Sequence, residues 1–246
     1  MSIRIGLFYP NFYGDHALSS AVARANMKLE SFATHRAVAE ASEAAQLDYV
    51  FMADGYGPYG PKSHDAWIRD PLLMAPLLAM TVLGATKHLR CITTLHTSWH
   101  HPLTMARMGA TLDSMSDGRW GVNIVTGAGS FGPPLDPHAI GHLDHDQRYD
   151  QAAEAMEILK QAWAGGPVDF EGQYFTVRGQ LVHPTPVQKP RPLVVSAGAS
   201  LAGRAFAGRF ADYTFLPGRT SKEELMARVD DMRRVAVDSG RQASDV

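Results

Sequence analysis

The sequence predicts an α/β fold of parallel strands joined by helical crossovers, on the plan of a (β/α)8 barrel. Three observations point there. Short apolar runs of strand length alternate with longer segments of helical pattern along most of the 246 residues. The stretch Ala110 to Gly127, ATLDSMSDGRWGVNIVTG, carries a whole helix-to-strand unit in one piece. Within it Trp120, Val122 and Ile124 alternate as in a strand, which sets Asn123 and Thr126 near its C-terminal end, where such barrels assemble their chemistry.

Ile3 to Tyr9 is an apolar strand, followed by the Asn-, Gly- and Pro-marked loop Pro10 to Gly14 and a polar, Ala-rich region to about Glu30. Phe32 to Gln46 has helical propensity, with Phe32, Val38 and several alanines for a packed face, and Tyr49 to Ala53 returns to strand. Asp70-Pro71 is expected to open the next helix, with Asp as N-cap and Pro in the first turn, where its missing N–H costs nothing. That helix runs to about Ala85. Leu89 to Leu95 is the third strand, Leu103 to Met115 the third helix and Trp120 to Val125 the fourth strand.

The Gly/Pro-rich segment after Gly127 is too long for a routine connection, so residues 127–148 are expected to form a lid or binding loop. Tyr149 to Ala164 is helical, with Ala152, Met156, Leu159 and Trp163 on one face. Residues 168–179 read as a hairpin through Glu171-Gly172, an excursion over the barrel surface. Leu193 to Ser196 is a buried strand, Leu201 to Ala211 a helix and Tyr213 to Leu216 the sixth strand. Ser221 with Glu224 is a capping-box pattern that opens an amphipathic helix to about Val237. Six strands are counted where a barrel needs eight, so two are either hidden from this count or absent.

Composition narrows the function classes. A 45% hydrophobic content suffices for a sizeable core, and residues 1–246 are expected to form a single barrel domain. The net charge of −2 and the lack of any Lys/Arg cluster argue against a nucleic-acid partner. The one cysteine, Cys91, lies in the apolar run LRCITTL, so no intrachain disulfide forms and a buried, inert thiol is expected. The opening MSIRIGLFYP lacks the features of a secretory signal, and the longest apolar run, Leu72 to Leu83, is broken by Pro76 and too short for a bilayer. A cytoplasmic protein is therefore expected.

Several residues could carry chemistry. Asp54 follows an apolar strand and is either a site residue or a turn Asp before Gly55. Thr94 suits a strand by propensity alone, whereas Asn123 is disfavoured there and costly to bury without partners. His145 and Tyr149, at i and i+4, face the same way, and Arg148 is either a site residue or a surface cation. Ser200 follows Gly198 and begins a helix, a junction that suits a phosphate and equally suits simple capping; the two roles are compatible. His96, Trp99, His100 and His101 follow the third strand in HTSWHHP and either line the substrate side of a pocket or form an ordinary polar loop. His138, His142 and His145 invite a metal reading, but Gly141 weakens a helix through the first two and no carboxylate or Cys stands at a diagnostic interval, so no metal is expected.

At these positions the chain resembles the bacterial luciferase-like flavin monooxygenases, in the branch of the pyrimidine, nitrilotriacetate, alkanesulfonate and dibenzothiophene-sulfone enzymes. The matching pieces, in the family's order, are FMADG at Phe51 to Gly55, ARMGATLDSMSDGR at Ala106 to Arg119, GVNIVTG at Gly121 to Gly127, HDQRYD at His145 to Asp150 and SAGAS at Ser196 to Ser200. The resemblance implies a luciferase-type TIM barrel. It also implies a two-component monooxygenase that takes reduced FMN from a separate NAD(P)H:flavin reductase, uses O2 and transfers one oxygen atom to a small organic substrate.

By the same resemblance Asp54 contacts the flavin, Thr94 and Asn123 face it where oxygen reacts, and His145, Arg148 and Tyr149 touch its ring or its ribityl–phosphate side. Ser200 then meets the phosphate. In the family the segment matching GRQASDV leads into the seventh strand, so strands 7 and 8 are expected to be lacking. The strand edges and apolar interior left open imply a fragment or a homo-oligomer. Three alternatives stand beside this reading. They are an F420-dependent oxidoreductase of the same fold, a noncatalytic flavin-binding or assembly protein, and a metal-dependent hydrolase; the last is disfavoured because the first strand ends Phe8-Tyr9-Pro10 without a His-x-His pair. The substrate is left undecided.

Overall fold

The computed structural model describes residues 3–13, 28–55, 65, 69–127, 143–216 and 221–246. Among these residues six parallel strands form one sheet in the order β1 (Gly6–Phe8), β2 (Tyr49–Met52), β3 (Arg90–His96), β4 (Trp120–Val125), β7 (Leu193–Ser196) and β8 (Tyr213–Thr214). Between β4 and β7 the antiparallel pair β5 (Val168–Glu171) and β6 (Thr176–Gln180) forms a separate ribbon. The crossovers carry helices α1 (Phe32–Ala44), α2 (Ala75–Ala85), α3 (Pro102–Met115), α4 (His145–Ala164) and α5 (Leu201–Phe210), and α6 (Lys222–Asp238) follows β8. Among the described residues no helix is long and apolar enough to cross a membrane.

The sheet curls. β1 and β8 are its two edges, yet the ring of Phe215, just past β8, lies 6.2 Å from Phe8 on β1 and 5.4 Å from Phe51 on β2. Strand alternation explains which side chains fill the curve. Phe51, Ile92 and Val195 cluster on the concave side with Phe8, Tyr49 and Leu193. Their neighbours Val50, Met52, Cys91, Leu95, Trp120, Val122, Ile124 and Val194 pack under the helices in the main core. Two buried indoles are satisfied there: Trp120 Nε1 donates to Thr93 Oγ1 at 3.0 Å and Trp163 Nε1 to the Ala106 carbonyl at 3.0 Å. Gly109 in α3 admits the Trp120 ring, since a Cβ there would lie 2.5 Å from it.

The N-terminal rim of the sheet is fastened by charged side chains. Glu43 accepts from the amides of Lys87, His88 and Leu89, and Asp113 accepts from those of Val187 and Gln188. Arg191 forms a two-pronged ion pair with Asp212. These bonds tie the loops and helix ends of that rim to the sheet.

The structure corrects some expected boundaries. Asp70-Pro71 does not open α2, which starts at Ala75 with Pro76 in its first turn. Residues before it are held extended: Leu72 bridges to Phe12, and Leu73 gives its N–H to the Asn11 carbonyl while its carbonyl accepts from the Asn11 side chain. With those backbone groups already bonded to Asn11, no helical turn can start there. β1 begins at Gly6 rather than Ile3, and β8 stops at Thr214. α4 begins at His145, four residues before Tyr149, because Asp144 and Gln147 close a capping box ahead of it. The loop residues 128–142, with His138 and His142, lie outside the described residues.

Candidate active site

Asn123 and Thr94 stand opposite each other on β4 and β3, and Asn123 stands opposite Val195 on β7. The Asn123 amide nitrogen donates to Thr94 Oγ1 at 3.0 Å, and the Thr94 hydroxyl donates to the Met52 carbonyl at 2.9 Å. A hydroxyl has one proton, so giving it to Met52 leaves Thr94 an acceptor towards Asn123. That chain of bonds fixes the orientation of the amide. It also leaves Asn123 Oδ1 buried with no hydrogen-bond partner among the described residues. Such an atom costs about 1–3 kcal/mol unless something binds it, so Asn123 is a candidate ligand contact. Thr94, its proton placed on the Met52 carbonyl, orients Asn123.

Asp54 lies at the C-terminal end of β2, half-buried. Its carboxylate accepts from Gly55 N at 2.8 Å and from Ala75 N at 3.0 Å. The first bond is the local turn that the Asp-Gly pair suggests. The second supplies the first turn of α2, whose own N-cap, Met74, makes no side-chain bond. Burial nevertheless raises the Asp54 carboxyl to about 6, against the lowering effect of both amides and of nearby Arg69. The Asp54 carbonyl receives Arg69 Nη2 and His96 Nε2, each at 3.2 Å.

The loop HTSWHHP divides. His96 is 3% exposed and stacks on Trp99 with ring centroids 3.5 Å apart and planes 16° from parallel. Its Nδ1 is buried without a partner among the described residues. Burial holds its pKa down to about 3, so the ring is neutral. His101, by contrast, caps α3 through Nδ1, which accepts from Leu103 N at 3.3 Å.

A second cluster sits where β7 turns into α5. The Ser200 hydroxyl caps that helix by accepting from Gly203 N at 3.0 Å, and no acidic residue occupies the first turn, so its positive end is uncompensated from within. A Cβ on Gly198 would lie 2.7 Å from the Gly203 Cα and 2.8 Å from the Tyr149 hydroxyl. A Cβ on Gly203 would meet the same hydroxyl at 2.9 Å. Two glycines thus let a strand end, a helix start and a phenol converge on one spot. His145 meets Tyr149 edge to face at 5.3 Å, and Phe206 backs the phenol at 6.0 Å. Arg148 Nε is buried without a partner among the described residues, which sets it apart from an ordinary surface cation.

The two clusters occupy neighbouring strands, since Ile124 beside Asn123 is in register with Ser196, four residues before Ser200. Thr94, Asn123 and Asp54 therefore gather on one stretch of the C-terminal rim, and His145, Tyr149 and Ser200 gather beside it. Gly203 and His96 complete these clusters; the sequence names His96 only as one of four candidate residues in HTSWHHP and does not name Gly203, at which only the small-residue run ASLAG hints. Arg204, which pins Ala199 through its carbonyl at 2.8 Å while pairing with Asp231 at 3.0 Å, has no sequence signal at all.

Over 221 residues, 88% of this chain and 55% of the relative, the sequence is 32% identical to pyrimidine monooxygenase RutA of Cronobacter turicensis. The long-chain alkane monooxygenase LadA superposes with a TM-score of 0.86 at 26% identity, covering 100% of this chain and 63% of LadA. The riboflavin lyase RcaE, solved with modified FMN and riboflavin, gives a TM-score of 0.86 at 26% identity, over 100% of this chain and 61% of RcaE. The chain thus spans a little over half the length of the relatives it matches. Residues 3–246 match the model of the luciferase-like monooxygenases. A curled parallel sheet with its polar clusters on the C-terminal rim, matched by that model over almost every residue, places the chain in one group: it belongs to the luciferase-like monooxygenase family.

Proposed function

We propose that this chain forms the cofactor-binding part of a two-component, FMN-dependent monooxygenase, its sheet being six of the eight strands of a (β/α)8 barrel. A separate NAD(P)H:flavin reductase would deliver reduced FMN, and a small organic molecule would be the substrate. The observation that carries this proposal is the pairing of a backbone cradle with an orphaned amide on adjacent strands. Gly198, Ser200, Gly203 and the Tyr149 hydroxyl suit a phosphate, while the buried Asn123 Oδ1 suits a ring N–H. Bound reduced flavin supplies the electron pair for activating O2.

The chain's own residues have separable tasks. Ser200 and Tyr149 would hold the phosphate with their hydroxyls, and Arg148 would add a positive charge on the same side. Asn123, oriented by Thr94, would hold the ring by its amide oxygen. His145 would flank the ring or ribityl side beside Tyr149. Asp54 would shape the site by tying Gly55, α2 and His96 together. The apolar concave cluster of Phe8, Phe51, Ile92 and Val195 would keep water from the ring.

The homo-oligomer belongs to the same proposal. Phe32 and Leu77 are 82% and 70% exposed, and with Met80 they form an apolar face on α1 and α2. Arg36 and Glu40 flank the groove on that face, a self-complementary pair suited to two-fold packing against a second copy.

Cofactor class is tested by titrating the protein separately with reduced FMN and reduced F420. Tighter binding of FMN supports the proposal. Preference for F420 overturns it in favour of hydride-transfer chemistry.

A further inference from the structure

His96 is the last residue of β3, two positions beyond Thr94, and so projects from the same side of the sheet as Thr94. Its ring is fixed on two sides. One face stacks on Trp99, and Nε2 meets the Asp54 carbonyl, which is itself held by Arg69. A carbonyl oxygen can only accept, so the Nε2–carbonyl contact places the imidazole proton on Nε2. Nδ1 is then a bare lone pair, buried and without a partner among the described residues. Hydration of that lone pair has been given up with no replacement among the described residues. The structure therefore leaves, a short step from the Asn123–Thr94 pair, one acceptor of fixed direction that no described group uses.

We propose that His96 Nδ1 is a specificity contact that accepts a hydrogen bond from the substrate, so that the site selects neutral molecules carrying an N–H or O–H donor, such as lactams, amides and N–H heterocycles. Molecules offering only acceptors or only hydrocarbon would leave the lone pair unmatched. This rests on the proposed monooxygenase function for the identity of the ligand as substrate. The low basicity of the ring supports it, because a protonated imidazole would repel such donors, and His96 stays neutral across the physiological range.

The probe pair is uracil and 1,3-dimethyluracil, which share a ring but differ in N–H donors. Calorimetric titrations are run on flavin-free and on FMN-loaded protein, for the wild type, His96→Leu and His96→Asn. Wild type is expected to prefer uracil by about tenfold or more. His96→Leu is expected to bring that preference below about threefold, and His96→Asn, which keeps an acceptor near the Nδ1 position, to restore part of it. A preference that came only from the bulk of the methyl groups would survive in His96→Leu, and that outcome overturns the proposal. So does equal binding of both probes, or binding of neither, by wild type.

Long-range proton–nitrogen NMR of the flavin-free protein gives an independent reading: Nδ1 should show the unprotonated signature and Nε2 the protonated one between pH 6 and 8. The reverse tautomer overturns the proposal. If FMN fails to bind wild type, the flavin assignment falls, while the flavin-free titrations and the tautomer still decide the role of His96.

Discussion

The amide of Asn123 and the hydroxyl of Thr94 are joined across two strands by a 3.0 Å hydrogen bond whose direction is set from below by the Met52 carbonyl. Neither residue alone would present a fixed acceptor to the rim. Asn123 without Thr94 can turn its amide over; Thr94 without Asn123 is a buried strand residue with a satisfied proton.

Removing the hydroxyl exposes that dependence. Thr94→Val keeps the shape but leaves the buried Asn123 amide N–H without its acceptor, which costs about 1–3 kcal/mol. Thr94→Ser keeps both bonds and should lose less. Urea denaturation of the two variants checks this, and equal losses would show that the bond chain contributes nothing.

At the β7–α5 junction two effects oppose each other. Gly203→Ala gains about 1 kcal/mol of helix propensity. Its new Cβ, however, would lie 2.7 Å from the Gly198 backbone, a clash that no side-chain rotation relieves. The clash should win. The expected result is a lower melting temperature together with FMN binding weakened by about tenfold or more. A stabilised Gly203→Ala protein with unchanged FMN affinity would remove the cradle from the account.

Buried His96 and half-buried Asp54 pull the pH dependence of stability in opposite directions. His96 is held down to about 3 when folded, whereas an unfolded histidine takes up its proton near 6.5, so stability is lost as pH falls below about 6.5. Asp54 is raised to about 6 when folded, above the unfolded value of 3.8, so its contribution improves as pH falls from about 6 towards 4. His96→Asn should therefore flatten the acid loss, and Asp54→Asn should steepen it. Thermal melts of the three proteins from pH 7 to pH 5 read both slopes; identical profiles would contradict the assignment.

The face made by α1 and α2 gives a prediction about assembly. Leu77→Glu places a charge at an exposed apolar position of α2 and should shift sedimentation equilibrium towards the monomer without altering FMN affinity. An unchanged mass would place the oligomer contact elsewhere.

Much of the fold was legible because strands and helices carry different periods. The run WGVNIV alternates, its apolar half lies under the helices, and Asn123 falls on the other side as the period requires. Long-range bonds were illegible. The start of α2 depends on Asn11, more than sixty residues away in sequence, and on the Asp54 carboxylate, neither of which perturbs the local pattern around Pro71. The site was legible in part for the same reason. Asn123 announced itself by being polar in an apolar strand. His96 was legible only as one of four candidates in HTSWHHP, because what singles it out is a stack on Trp99 and a bond to Asp54, both invisible until the rim is assembled.

The central claim is that this chain holds a phosphorylated flavin between the Tyr149–Gly198–Ser200–Gly203 corner and Asn123. The most direct measurement is a fluorescence titration of the wild-type protein with FMN and, in parallel, with riboflavin, which has the same ring and no phosphate. FMN should bind more tightly by about tenfold or more, the advantage of charge-assisted phosphate contacts. That advantage should shrink in Tyr149→Phe. Equal affinity for the two flavins, or no binding of either, would contradict the account.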